Sequence, residues 1–165
     1  MEPQSNKRLM QKAGSLLARR SYSRGELCTK LASFGEPLAI ETVLDRLEQL
    51  NLLNDVDYAY NLASRWTRQD GWGPIKVRHL LMRRKVPGPV IEAAIDRVHH
   101  EISDTGALEA YLDRRGRTHP LPEDCKGIHK LILSLRRRGF PQEAIWSALR
   151  QKVRASVWQE LDTGE

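Results

Sequence analysis

A single helix–turn–helix phrase occurs three times in this 165-residue chain, and any fold must accommodate all three copies. Two copies read "LLMRRKVPGPVIEAAI", Leu80 to Ile95, and "LILSLRRRGFPQEAIWSAL", Leu131 to Leu149. An earlier one reads "LCTKLASFGEPLAIETVL", Leu27 to Leu44. Leu27, Val77 and Leu131 correspond, as do Leu31, Leu81 and Leu135, at offsets of 50 and 54 residues. After the turn Ile40, Ile91 and Ile145 correspond, followed by Leu44, Ile95 and Leu149. There the first offset is 51, so the first turn is one residue shorter. Repetition at such a period predicts similar structural units that share their hydrophobic burial.

Each copy follows another apolar-periodic stretch. In the first unit it holds Leu9, Ala13, Leu16 and Leu17; in the second Tyr58, Ala59, Leu62, Ala63 and Trp66; in the third Leu108, Tyr111 and Leu112. Spacings of three and four place each set on one helix face. Ser23 is placed to cap "RGELCTKLASF", with Glu26 three residues on completing a capping box. Pro74 in "DGWGP" suits a first helical turn, and Gly35 and Gly139 stand where a left-handed helix end is expected. No stretch alternates apolar and polar residues over several positions, so strands are not expected. The expectation is an all-α fold of nine helices. It comprises three tandem three-helix repeats, residues 9–53, 54–103 and 104–155, in an elongated, curved array. A unit of some 45 residues buries too little surface to stand comfortably alone. "GRTHPLPEDCKG", Gly116 to Gly127, is the one long loop.

Composition narrows the function classes. Hydrophobic residues make up 40% and charged residues 29%, which suits a soluble folded chain. No apolar run approaches the roughly 20 residues of a membrane span, and "MEPQSNKRLMQKAG" has no signal-peptide core, so a cytoplasmic monomer without membrane contact is expected. Cys28 and Cys125 are isolated and read as idle thiols. His99 and His100 adjoin on a helix, where neighbours point about 100° apart, so they do not make a metal pair. Trp66 reads as a packing residue, while Trp72 has the alternative of stacking on bases. No nucleophile–base pair or phosphate loop is present, so neither catalysis nor a cofactor is expected.

The net charge is +6, and a polyanionic partner follows from it. Residues 9–53 carry six basic against five acidic residues, 55–103 eight against six, and 104–153 ten against six. Arg83, Arg84 and Lys85 end one central helix; Arg136, Arg137 and Arg138 end its counterpart. Arg19 and Arg20, then Arg114, Arg115 and Arg117, end first helices. A cation in a last helical turn offsets the macrodipole, by about 0.3–1 kcal/mol when exposed. Three in succession repel one another, and an anion relieves that repulsion. The candidate contact set is Arg19, Arg20, Arg24, Lys76, Arg78, Arg83, Arg84, Lys85, Lys130, Arg136, Arg137 and Arg138.

The order of these features resembles the RecX family, bacterial regulators of the RecA recombinase. "LLARRSYSRGELCTKL", Leu16 to Leu31, is similar to the family phrase R-x-x-S-x-x-E-L-x-x-K-L, filled by Arg20, Ser23, Glu26, Leu27, Lys30 and Leu31. "LLNDVDYAYNLASRW" running into "GPIKVRHLLMRRKV" resembles a second phrase, opened by Leu53, Asp55, Tyr58 and Ala59. "LSLRRRGFPQEAIWSAL" is similar to the third-repeat ending, and the resemblance covers about residues 9–153. The chain departs from the pattern at "SFGEP", where a Gly-Phe pair is usual, and at Lys85, where Gly is common. The resemblance implies a curved helical modulator that lies in the groove of the RecA–DNA filament and limits its growth, ATPase and recombinase activities. Its partners would be the RecA filament and single- or double-stranded DNA. The competing reading is a helix-turn-helix DNA-binding protein. Against it, the second helices "IETVLDRLEQL" and "VIEAAIDRV" carry acids where a recognition helix needs Arg, Asn or Gln.

Overall fold

The computed structural model describes residues 3–153, so the end of the third repeat, residues 154 and 155, lies outside the described residues. Among the described residues there are nine α-helices and no strand. The expected first repeat, residues 9–53, takes in most of α1 (Pro3–Leu17), which begins before it, and all of α2 (Arg24–Leu31) and α3 (Pro37–Gln49). The second holds α4 (Asp55–Arg65), α5 (Pro74–Arg83) and α6 (Gly88–Glu101). The third holds α7 (Asp104–Gly116), α8 (Cys125–Arg137) and α9 (Gln142–Arg150). A π-helical turn, Trp66–Asp70, extends α4 and closes at Gly71 in the left-handed conformation, φ 65°. Trp66 is buried, as its place on the apolar face predicts.

Local signals explain most boundaries. The Ser23–Glu26 capping box is formed at the start of α2, and α5 opens on Pro74. Arg19 and Arg20 fall just past α1 rather than inside it. The long loop expected from Gly116 to Gly127 is shorter, 117–124, because α7 takes in Gly116 and α8 starts at Cys125.

The turns inside the repeats correct one expectation. Gly139 is left-handed, φ 84°, and so is Lys85 at the corresponding place, φ 55°. Gly35 is not among the left-handed residues. The shorter first turn closes instead through the Phe34 N–H donating to the Leu31 carbonyl at 2.8 Å. Glycine serves there as space: a Cβ on Gly35 would lie 2.8 Å from Leu9 Cδ1.

Of the described residues, those up to Leu62 together with Leu80–Ala94 form one compact unit, and Ala63–His79 together with Ile95 onward form the other. The threefold sequence register thus distributes the second repeat between two compact units. In the first, α1, α2 and α3 close over Leu9, Ala13, Leu27, Leu31, Ile40 and Leu44. In the second, α7, α8 and α9 close over Leu108, Leu112, Leu131, Leu135, Phe140 and Ile145. Apart from Phe140, which lies in the turn before α9, these core side chains are ones that the helical periodicity puts on one face.

Candidate functional site

In the first compact unit the start of α2 is fastened to the turn after α5. Ser23, fully buried, accepts from the Glu26 N–H at 3.1 Å and donates its hydroxyl to the Arg84 carbonyl. The Glu26 carboxylate gathers the Arg20 guanidinium (3.1 Å), Arg84 Nη1 (3.2 Å), the Tyr58 hydroxyl (2.9 Å) and the Ser23 N–H (3.4 Å). Burial pushes the Glu26 carboxyl up, but these four donors together outweigh it and hold it below the usual glutamate value. Burial and donation to Glu26 push the Tyr58 hydroxyl up to about 12. Gly25 lies so near this turn that a Cβ there would come within 2.6 Å of the Lys85 carbonyl.

The second compact unit contains a matching joint between the start of α5 and the turn after α8. The Gly73 N–H donates to the Arg138 carbonyl at 2.9 Å, and the Ile75 N–H to the Gly139 carbonyl at 3.1 Å. Arg138 Nη1 donates to the carbonyls of Asp70 (3.1 Å) and Gly71 (3.4 Å). Its guanidinium lies 4.8 Å from the Trp72 ring and 4.4 Å from the Tyr111 ring, a cation–π arrangement on each. A Cβ on Gly73 would collide with the Gly139 backbone.

The two joints occupy the same register. Ser23 and Gly73 are 50 residues apart, Arg84 and Arg138 are 54 apart, and these are the repeat offsets. The basic triplets are therefore one residue out of step. Arg84 corresponds to Arg138 and Arg83 to Arg137, while Lys85 matches Gly139 and Met82 matches Arg136. The inner arginine, Arg84 or Arg138, is engaged at the joint through both its carbonyl and its side chain.

The remaining sequence candidates divide into engaged and outward groups. Arg24 is held by Glu41 (2.5 Å), Asp45 (2.7 Å) and Glu48 (2.8 Å), and its own N–H donates to Asp55 at 2.7 Å. Burial works against the charge of Arg24, yet these carboxylates raise its pKa further. Arg20 lies over the Tyr22 ring at 3.6 Å as well as on Glu26. Lys76 approaches Trp72 at 5.4 Å, Arg78 is partly buried, and Lys85 donates to Thr29 at 2.7 Å. Among the described residues, Arg19, Arg83, Lys130, Arg136 and Arg137 are exposed, with no side-chain ion pair or hydrogen bond. The outward face of α8 carries Lys126, His129, Lys130 and Arg137, and none of its 13 residues is acidic. Helix α5 is likewise free of acids, whereas α3 and α6 carry several.

Sequence reasoning grouped each triplet as one surface and missed the inner arginines' part in the joints. The signal was available in the 54-residue offset, which does not superpose the triplets. Cys28 and Cys125 are free thiols. His100 contacts the Asp96 carbonyl at 2.7 Å and His99 lies 3.5 Å from Asp104. Among the described residues no cluster of His, Cys, Asp or Glu has the makings of a metal site, and no helix is long and apolar enough to cross a membrane.

No protein-family model matches the chain. Among curated proteins it is 37% identical over 134 residues to "Regulatory protein RecX" of Pseudomonas tolaasii, covering 81% of this chain and 84% of the relative. It is 36% identical to the protein of that name in Thermus thermophilus over 127 residues, 76% of this chain and 79% of the other. The Chlorobaculum tepidum protein of that name is 30% identical over 146 residues, covering 88% and 86%. The fold is similar to the crystal structure of RecX from Lactobacillus salivarius, with TM-score 0.75 and 19% identity over 98% of this chain and 99% of that one.

Proposed function

This chain belongs to the RecX family of regulatory proteins, and on that premise we propose that it is a non-enzymatic modulator of the RecA recombinase. In this reading it acts in the cytoplasm as a monomer. It lies in the groove of the RecA–DNA filament, limits filament growth, ATP hydrolysis and strand exchange, and so regulates DNA repair. The observation that supports the reading is the acid-free, outward-facing row of cations on α8. Such a row repels itself in the free protein and is relieved by a polyanionic surface. Several weak contacts along a repeating filament would reinforce one another through high effective concentration.

The test adds the protein to RecA on single-stranded DNA and follows ATP hydrolysis together with co-sedimentation. Substoichiometric protein is expected to slow hydrolysis and to pellet with the filaments. Unchanged hydrolysis with the protein left in the supernatant would refute the proposal.

A further inference from the structure

The paired joints separate arginines that stand side by side in the sequence. Consecutive residues on a helix point about 100° apart, so two neighbours at a helix end cannot serve one surface equally. Arg138 is committed inward: two carbonyls take its Nη1, two aromatic rings flank its guanidinium, and its own carbonyl holds Gly73. Arg137 is exposed and has no partner among the described residues. In the other compact unit Arg84 is held by Glu26 and holds Ser23, while Arg83 is exposed and unpartnered among the described residues.

We infer that the basic turns divide two tasks: Arg84 and Arg138 fasten the preceding helix start, and Arg137, with Lys130 on the same helix, contacts the phosphodiester backbone of nucleic acid. This rests on the reading of α8 as a polyanion-binding face. Nucleic acid is the favoured occupant because of the composition of that face. Lys126, Lys130 and Arg137 form a lysine-rich row in which Leu133 is the exposed large apolar side chain. The centres of protein–protein interfaces are depleted of charge and of lysine, whereas phosphate oxygens are met by Lys and Arg. By the repeat register Arg83 is the counterpart of Arg137, and its exposure gives it the same availability.

Four single variants of the full chain test the division: Arg137→Gln, Arg137→Lys, Arg138→Gln and Arg138→Lys. Three quantities are measured: affinity for labelled oligothymidine against salt, pelleting with RecA filaments, and amide exchange at Gly73 and Ile75. Arg137→Gln is expected to weaken oligothymidine binding severalfold and reduce the log–log salt slope by about one, with exchange unchanged. Arg137→Lys should restore the slope, because a point charge suffices for counterion release. Both Arg138 variants should raise exchange at Gly73 and Ile75 about tenfold or more, since lysine has no planar guanidinium to lie against the Trp72 and Tyr111 rings while its head reaches the carbonyls. An unchanged slope in Arg137→Gln overturns the contact assignment. Parental exchange in Arg138→Lys overturns the fastening assignment. Filament pelleting lost in Arg137→Gln with oligothymidine binding intact overturns the choice of nucleic acid in favour of an acidic protein surface. Failure of the parent protein to act on RecA refutes the proposed function and is read on a separate measurement.

Discussion

Glu26 concentrates four donors on one carboxylate, and its ionisation should be visible in the stability of the protein. A carboxyl held below its usual value adds stability above that value, about 4.5, and the contribution is lost as the pH falls through the folded-state pKa. Asp55, in the same compact unit, works the other way. Burial raises it, in part offset by donation from the Arg24 N–H, so its contribution is present at low pH and lost as the pH rises. The parent protein alone therefore does not isolate Glu26, whereas the difference from Glu26→Gln does. We expect Glu26→Gln to be less stable at neutral pH by about 1–3 kcal/mol, since Arg20, Arg84 and Tyr58 lose an ionised acceptor. The gap in melting temperature should narrow as the pH falls below about 4.5 and through the folded-state pKa. Parallel curves over that range would show that the carboxylate charge contributes nothing to the joint.

The element of interest is a helix start seated on a turn. Its two examples show what the sequence discloses and what it withholds. Ser23 and Glu26 are three residues apart, so their capping box is a local pattern and could be read directly. Arg84 reaches Glu26 across 58 positions, and Arg138 reaches Asp70 across 68. No local spacing encodes either contact, and only the repeat register pointed towards them. The π-helical turn after α4 and the left-handed Lys85 were likewise hidden, because tertiary packing set them against local preference. In the second joint the close approach of Gly73 to Gly139 leaves no room for a side chain. Gly73→Ala is expected to cost about 1–3 kcal/mol by overpacking, read as a lowered melting temperature. Gly14, exposed in α1 with nothing within 4 Å of an added Cβ, is the control. There alanine should stabilise by about 0.5–1 kcal/mol, as expected in a helix interior. Equal effects at the two glycines would mean that the joint is looser than its geometry.

For the whole molecule, the charge rises through successive repeats, and the last is the most basic. Binding that depends on phosphate neutralisation weakens steeply with salt and discriminates little between sequences. Affinities for several unrelated duplexes should therefore agree within a few-fold at low salt and fall together as salt rises. A footprint on one duplex that survives high salt would support the sequence-reading helix-turn-helix alternative instead. The second joint is also made between peptide groups: Arg138 and Gly139 offer carbonyls, and Gly73 and Ile75 offer amides. Peptide groups are common to every residue except proline at the amide, so such a seam survives exchange of most of the side chains around it. The position that holds the hub glutamate in the first copy, Glu26, is lysine in the next two, Lys76 and Lys130. The same register position thus serves a clasp at Glu26 and an outward charge at Lys130, while the joint itself passes from side-chain contacts at Ser23 and Glu26 to peptide contacts at Gly73 and Ile75.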